Sequence, residues 1–279
     1  MEVSLRVTRL PEVRTRYEQK VRHRIGKGTM RLLTAPTPNG WKVSILIEEL
    51  REQGHLLSDL VVEYVDIRKG EQFEPAFVRV NPNQKIPALE DDGFTLMESC
   101  AILQYLGEKF PSSLLPQEFE PRFEVLQWVY WQAANVGPVF GNKLSYTRYM
   151  DDIDPAAKAH PMERFAAEAQ RLLGVLSRQL EGRDFLCGAE FSIADIALYP
   201  WVRGWKWSKI PILGIPHIED WVQRVRARPG VERGLAYGVP KEEIDQWSAA
   251  RKAQVAAGGS TMAATFNLDR GGGSDGKDR

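Results

Sequence analysis

Within APTPNGWK, residues 35–42, Thr37 and Asn39 stand in turn chemistry that runs directly into an apolar helical pattern. The first turn of a helix presents unpaired N–H groups and about half a positive charge, and a thiol placed against it has a lowered pKa. The chain has no cysteine there, so the Thr37 hydroxyl and Asn39 amide could stabilise only a thiolate brought by a ligand. The alternative is that Asn39 caps the helix and Thr37 shapes the turn, and local sequence alone favours it. In NPNQKIPAL, residues 81–89, Pro87 opens a strand in a position where an X-Pro bond can be cis. A cis bond would turn Ile86 outward and offer its N–H and C=O to an extended peptide by strand addition; a trans proline opening an edge strand fits equally well. Glu98-Ser99 begins another helix: Ser99 can cap, the helix N-terminus can hold a carboxylate, and Glu98 can accept from an ammonium group. Those two binders side by side suit an amino-acid head group, although an acidic first turn is also a common structural feature. In FSIAD, Ser192 and Asp195 have capping-box spacing, which assigns Asp195 to folding rather than catalysis.

The elements needed to position these groups are legible around them. Arg31–Ala35 reads as a strand, Trp41–Leu50 as a helix with Val43, Leu46, Ile47 and Leu50 on one face, and Leu60–Ile67 as a second strand. This βαβ unit requires a parallel start. A short helix near Glu71–Val80 follows, then strands Ile86–Glu90 and Phe94–Leu96 joined through Asp92-Gly93, a hairpin signal, then a helix over Glu98–Phe110. The order β-α-β-α-β-β-α over residues 30–112 is that of a thioredoxin-like domain. Beyond Pro111 and Pro116 the pattern is helical, over 122–135, 163–180, 192–202 and 216–228, which predicts an all-helical domain over 121–245. Residues 1–29 read as an N-terminal extension. Residues 246–279, ending GGGSDGKDR, read as a partly disordered C-terminal one.

Composition narrows the function. The 279 residues hold 37 Lys plus Arg against 37 Asp plus Glu, so no net charge points to nucleic acid or an anionic membrane as partner. No apolar run is long enough for a membrane span, and Glu2, Glu12 and Glu18 interrupt the Arg-rich start, against a transit peptide. Two cysteines, Cys100 and Cys187, without a CxxC pair, give no metal or dithiol motif and suit a reducing, cytoplasmic setting. Cys100 reads as a packing residue.

Over residues 30–240 the chain resembles the glutathione transferases, and within them the Nu class. The marks are TPNG at 37–40, NPNQKIPAL at 81–89, LQWVYWQ at 126–132, VGPVFG at 136–141, MERF at 162–165 and SIADIALYPW at 192–201. The resemblance implies glutathione as cosubstrate, with Thr37 and Asn39 at its sulfur, Ile86 on the cysteinyl unit, Gln84 and Lys85 toward the glycyl end, and Glu98 and Ser99 on the γ-glutamyl head. It also implies a homodimer in which Arg164 crosses to the partner's site. Other classes place a catalytic Tyr, Ser or Cys after the first strand, and residues 31–43 contain none. The implied reaction is thiolate attack on a small electrophile or a disulfide, with disulfide reduction favoured; ether cleavage and a non-catalytic binding module are the alternatives. The electrophile is expected between the domains, with Trp41, Phe140, Tyr146 and Tyr149 as plausible lining, although aromatic residues at helical spacing are more often core.

Overall fold

The computed structural model describes residues 29–150 and 153–237; the expected extensions at 1–29 and 246–279, Thr29 apart, lie outside the described residues. Strand β1 (Met30–Thr34) is buried along its whole length. It pairs in parallel with β2 (Leu60–Tyr64) and antiparallel with β3 (Ala88–Asp91), which pairs antiparallel with β4 (Phe94–Met97), giving the sheet order β2-β1-β3-β4. The β3–β4 hairpin turns on Asp92 and Gly93, with φ of 48° and 86°. Two positive φ values in succession match the twist of the flanking strands, which is why an Asp-Gly pair stands there.

Helix α1 (Pro38–Glu52) begins three residues earlier than its apolar spacing suggested. Thr37 is the N-cap and Pro38 the first helical residue, where a missing N–H costs nothing. Strand β2 stops at Tyr64, short of Ile67, because the chain turns at Asp66, whose carboxylate accepts from Arg68 N at 3.1 Å. Strand β3 starts at Ala88 and not at Ile86, since Pro87 has no N–H for the ladder. Helix α2 (Pro75–Val80) places Phe77 with Leu33, Val65 and Ala88 in a small core on one sheet face. Helices α1 and α3 (Ser99–Lys109) contribute to the main core.

The second half is helical among the described residues: α4 (Phe119–Trp131), α5 (Gly137–Arg148), α6 (Pro155–Leu180), α7 (Ile193–Arg203), the short α8 (Trp205–Ser208), α9 (Ile218–Arg226) and α10 (Pro229–Leu235). A π-helical turn, Gln132–Val136, joins α4 to α5. Sequence periodicity missed α5, because Gly137, Pro138 and Gly141 read as breakers; Pro138 lies in its first turn, where proline is tolerated. One apolar core runs through both halves, with Leu32, Leu46, Leu103, Val129, Leu172, Leu198 and Trp221 among its members. Among the described residues no helix is long and apolar enough to cross a membrane.

Helix α10 closes back onto α1. Ser44 Oγ donates to Gly234 O at 2.6 Å, Arg228 pairs with Glu49 at 2.6 Å, and Arg233 pairs with Glu48 at 2.8 Å. A Cβ on Gly234 would lie 2.5 Å from Ile45 Cα and 2.7 Å from Ile45 N, against backbone that cannot yield. Gly234→Ala should therefore push α10 off the site-bearing helix, costing about 2 kcal/mol and lowering the melting temperature by roughly 4–8 °C. Thermal unfolding followed by circular dichroism checks this, and an unchanged midpoint would mean that the two helices are not in close contact.

Candidate functional site

Three elements converge on one cavity of about 280 Å³ between the sheet domain and the helices. The first is the start of α1. Thr37 Oγ1 accepts from Gly40 N at 3.2 Å, so the cap is Thr37 and not Asn39. Its hydroxyl proton is not used by that bond, but Thr37 is not among the residues that line the cavity. Asn39 lines the cavity, and its Oδ1 accepts from Trp201 Nε1 at 3.1 Å. Indole N–H is donor only, so Trp201 fixes which end of the amide is oxygen and leaves the Asn39 NH₂ as the free donor. Gly40 is demanded by packing: a Cβ there would meet Ala35 O at 2.1 Å and Thr34 Oγ1 at 2.6 Å.

The second element is the loop before β3. The Ile86-Pro87 bond is cis. Ile86 lines the cavity, and its backbone lies outside the sheet because β3 begins at Ala88. Asn81, almost fully buried, builds this loop: its Nδ2 donates to Lys85 O at 2.6 Å and its Oδ1 accepts from Asn83 N at 2.8 Å. Lys85 is on the cavity wall; Gln84 is exposed, has φ of 58°, and is not among the lining residues. A non-glycine residue held at positive φ is strained, and it adjoins the loop that the cavity uses.

The third element is the start of α3. Ser99 does not cap this helix: Glu98 holds the N-cap position with φ of 70° and makes no side-chain cap bond. The first-turn N–H groups of Ser99 and Cys100 are thus left uncapped by a side chain, as an anion site requires. Glu98, Ser99 and Cys100 all line the cavity.

Two residues that sequence reading overlooked complete it. Lys42 is 1% exposed, and its Nζ donates to Gln132 Oε1 at 2.5 Å and Ser99 Oγ at 3.1 Å and lies 3.7 Å from Cys100 Sγ. Burial pulls its pKa down, opposed by Cys100 and Glu98. Its signal was present: Lys42 stands three and four residues before Ile45 and Leu46, on the face of α1 that is buried. Gln132 is fully buried at the start of the π turn, a distortion often found at functional sites. A Cβ on Gly137 would lie 3.1 Å from its Nε2, so glycine in the VGPVFG segment makes room for this side chain.

The aromatic residue lining the cavity is Trp201; Trp41, Phe140, Tyr146 and Tyr149, named as plausible lining of an electrophile pocket, do not line it. Phe140 is core, Tyr146 packs on Phe165, and Trp41 lies under Arg203. Arg164 is exposed on α6 and does not line the cavity of its own chain. Cys100 is buried and bonded through Sγ to Gln132 Oε1 at 3.3 Å. Among the described residues no cluster of His, Cys, Asp or Glu could hold a metal ion.

A mixed sheet of this order, a cis proline on the cavity wall just before β3, and an appended helical half define a glutathione-transferase architecture. The family "Glutathione S-transferase, N-terminal domain" matches residues 28–108, and "Glutathione S-transferase, C-terminal domain" matches residues 141–229; the chain belongs to the glutathione S-transferase family. The disulfide-bond oxidoreductase YfcG of Escherichia coli (strain K12) is 38% identical over 211 residues, covering 73% of this chain and 93% of its own. The disulfide-bond oxidoreductase YghU of the same organism is 37% identical over 224 residues, covering 75% of each. Among solved structures, a glutathione transferase from Pseudomonas putida, with one glutathione disulfide bound per subunit, superimposes with a TM-score of 0.68 at 34% identity. That match covers 75% of this chain and 92% of the other. The Nu-class resemblance drawn from the motifs is borne out by these relatives.

Proposed function

We propose that the cavity binds glutathione and that the protein uses the glutathione thiolate to reduce small disulfides. The observation that carries this reading is one cavity lined together by Asn39 from the first turn of α1, Ile86 before the cis proline, and Glu98 and Ser99 at the uncapped start of α3. An extended γ-glutamyl-cysteinyl-glycine lies along Ile86, its γ-glutamyl head at Glu98 and Ser99, its glycyl end toward Gln84 and Lys85, and its sulfur at Thr37 and Asn39. The α1 N-terminus, the Thr37 hydroxyl and the Asn39 NH₂ stabilise the negative sulfur, so more thiolate is present at neutral pH. The thiolate attacks one sulfur of the disulfide, forming a mixed disulfide and releasing a thiolate that takes up the proton. A second glutathione thiolate then attacks the glutathione sulfur of the mixed disulfide, forming glutathione disulfide and releasing the other half as a thiolate that takes up a proton. Two glutathiones are oxidised and one disulfide is reduced to two thiols.

The naming of YfcG and YghU as disulfide-bond oxidoreductases supports reduction over conjugation. Residues 30–112 supply the glutathione half, and the helical half supplies the opposite wall through Gln132, Ala133, Gly137, Pro138 and Trp201. The exposed Arg164 reaches the site of a second subunit in a homodimer. Two free cysteines, Cys100 and Cys187, accord with work in the reducing cytoplasm.

The test is steady-state turnover with glutathione, using hydroxyethyl disulfide and chlorodinitrobenzene in parallel. Disulfide turnover that exceeds conjugation is expected. The reverse order would make this a conjugating transferase. Glutathione binding without turnover of either substrate would leave a binding module, and no glutathione binding would remove the reading altogether.

A further inference from the structure

We infer that Lys42 is the buried half of the head-group site: its ammonium holds Ser99 Oγ in place and supplies the positive charge against which the α-carboxylate of a γ-glutamyl ligand is seated. This rests on the cavity being the glutathione site. Helix N-termini bind anions weakly by themselves, so the start of α3 needs a partner to select a carboxylate firmly.

Lys42 has the placement for it. Its stem is buried in α1, and its Nζ reaches the cavity wall between α3 and the π turn. All three of its protons face uncharged acceptors: Ser99 Oγ at 3.1 Å, Gln132 Oε1 at 2.5 Å and Cys100 Sγ at 3.7 Å. Among the described residues no carboxylate is bonded to it, and the acid that faces it, Glu98, is exposed. A buried ammonium without a bonded counter-ion is costly, and Coulomb attraction in such a setting is little screened. A carboxylate accepting from Ser99 and the α3 N–H groups would supply that counter-ion.

A second group points the same way. Gln132 is fully buried, lines the cavity, and its Nε2 finds no hydrogen-bond partner among the described residues. Its Oε1 is held by Lys42, which aims the NH₂ as a further donor. Lys42 thus positions one group from each half of the molecule, Ser99 from α3 and Gln132 from the π turn. It acts on the ligand through them and through its charge, as a positioning residue.

The experiment is calorimetric titration of glutathione and of the analogue in which the γ-glutamyl α-carboxylate is an amide, against wild type, Lys42→Met and Lys42→Gln. Wild type should bind glutathione at least about tenfold more tightly than the amide, the range of a charged hydrogen bond. Both variants should bind the two ligands within about twofold of each other, with melting temperatures little changed, since the hydrogen bonds lost are offset by removal of a buried ammonium that has no bonded counter-ion. A merely structural lysine would instead lower stability and weaken both ligands alike. Equal binding of the two ligands by wild type overturns the proposal. So does a variant that keeps the preference, because the α3 N-terminus alone would then read the charge. If neither variant folds, Lys42 is a structural residue and the proposal fails. Absence of glutathione binding by wild type is a separate outcome, which removes the functional reading itself.

Discussion

Thr37→Ala is expected to lower kcat/KM for glutathione-driven disulfide reduction about 100-fold, the loss that follows removal of one donor aimed at a developing or resident negative charge. The hydroxyl has two roles that the substitution removes together. Its oxygen accepts from Gly40 N at 3.2 Å, capping α1, and in the proposed complex its proton donates to the ligand sulfur. The cap alone is worth about 1 kcal/mol of stability and does not touch chemistry in a protein that stays folded. The donor controls how much thiolate exists: without it the bound thiol's pKa rises, and the pH profile of turnover moves to higher pH. Thr37→Ser keeps both roles and should retain turnover within a few-fold. Asn39 cannot compensate in full, because its oxygen is committed to Trp201 and only its NH₂ remains. Turnover across pH, with the ultraviolet absorbance of bound thiolate read in parallel, separates the roles. A Thr37→Ala protein with wild-type turnover and an unshifted profile would reduce Thr37 to a helix cap.

The groups legible in the sequence are those whose geometry is local. Asp92-Gly93 announces a hairpin because only residues tolerant of positive φ can make that turn, and it forms there. The βαβ start and the element order followed from spacing alone. Pro87 declared itself through its missing N–H, although sequence reading left cis and trans open and the structure resolves it as cis. What escaped depends on elements far apart in the chain. Lys42 and Gln132 are 90 positions apart and meet only when α1 is packed against the π turn. The cap exchange has the same origin. Asn39 is an excellent cap by type, but Trp201, from the far end of the chain, takes its oxygen, and Thr37 caps instead. Ser99 likewise does not cap, because Glu98 takes the N-cap position, and its hydroxyl accepts from Lys42 instead. Helix α5 was missed because its glycines serve side-chain packing against Gln132 and Trp201, which composition rules read as a break.

Asp195→Asn should destabilise the folded protein by about 3 kcal/mol, lowering the melting temperature by roughly 10 °C at neutral pH. Asp195 is fully buried and forms the capping box with Ser192, and it also ties three segments together. One carboxylate oxygen accepts from Leu186 N at 3.0 Å and Trp221 Nε1 at 2.8 Å, the other from Ser192 N at 3.1 Å and Ser192 Oγ at 3.2 Å. Three of these four are donors only, so an amide NH₂ placed on either side faces an N–H it cannot accept. Burial pushes the Asp195 pKa up to about 6, against the pull of those donors. The unfolded value is about 3.9, so between about pH 4 and about pH 6 the folded state holds a proton that the unfolded state has released. This group's contribution to stability is therefore largest below that window and falls as pH rises through it. A protonated Asp195 can donate to Ser192 Oγ while both its oxygens still accept; the amide nitrogen accepts nothing. The stability difference between wild type and Asp195→Asn should therefore widen as pH is lowered from about 6 to about 4, measured by denaturant unfolding of both proteins. A difference that stays flat across the window would show that the four donors outweigh burial and keep the carboxylate ionised.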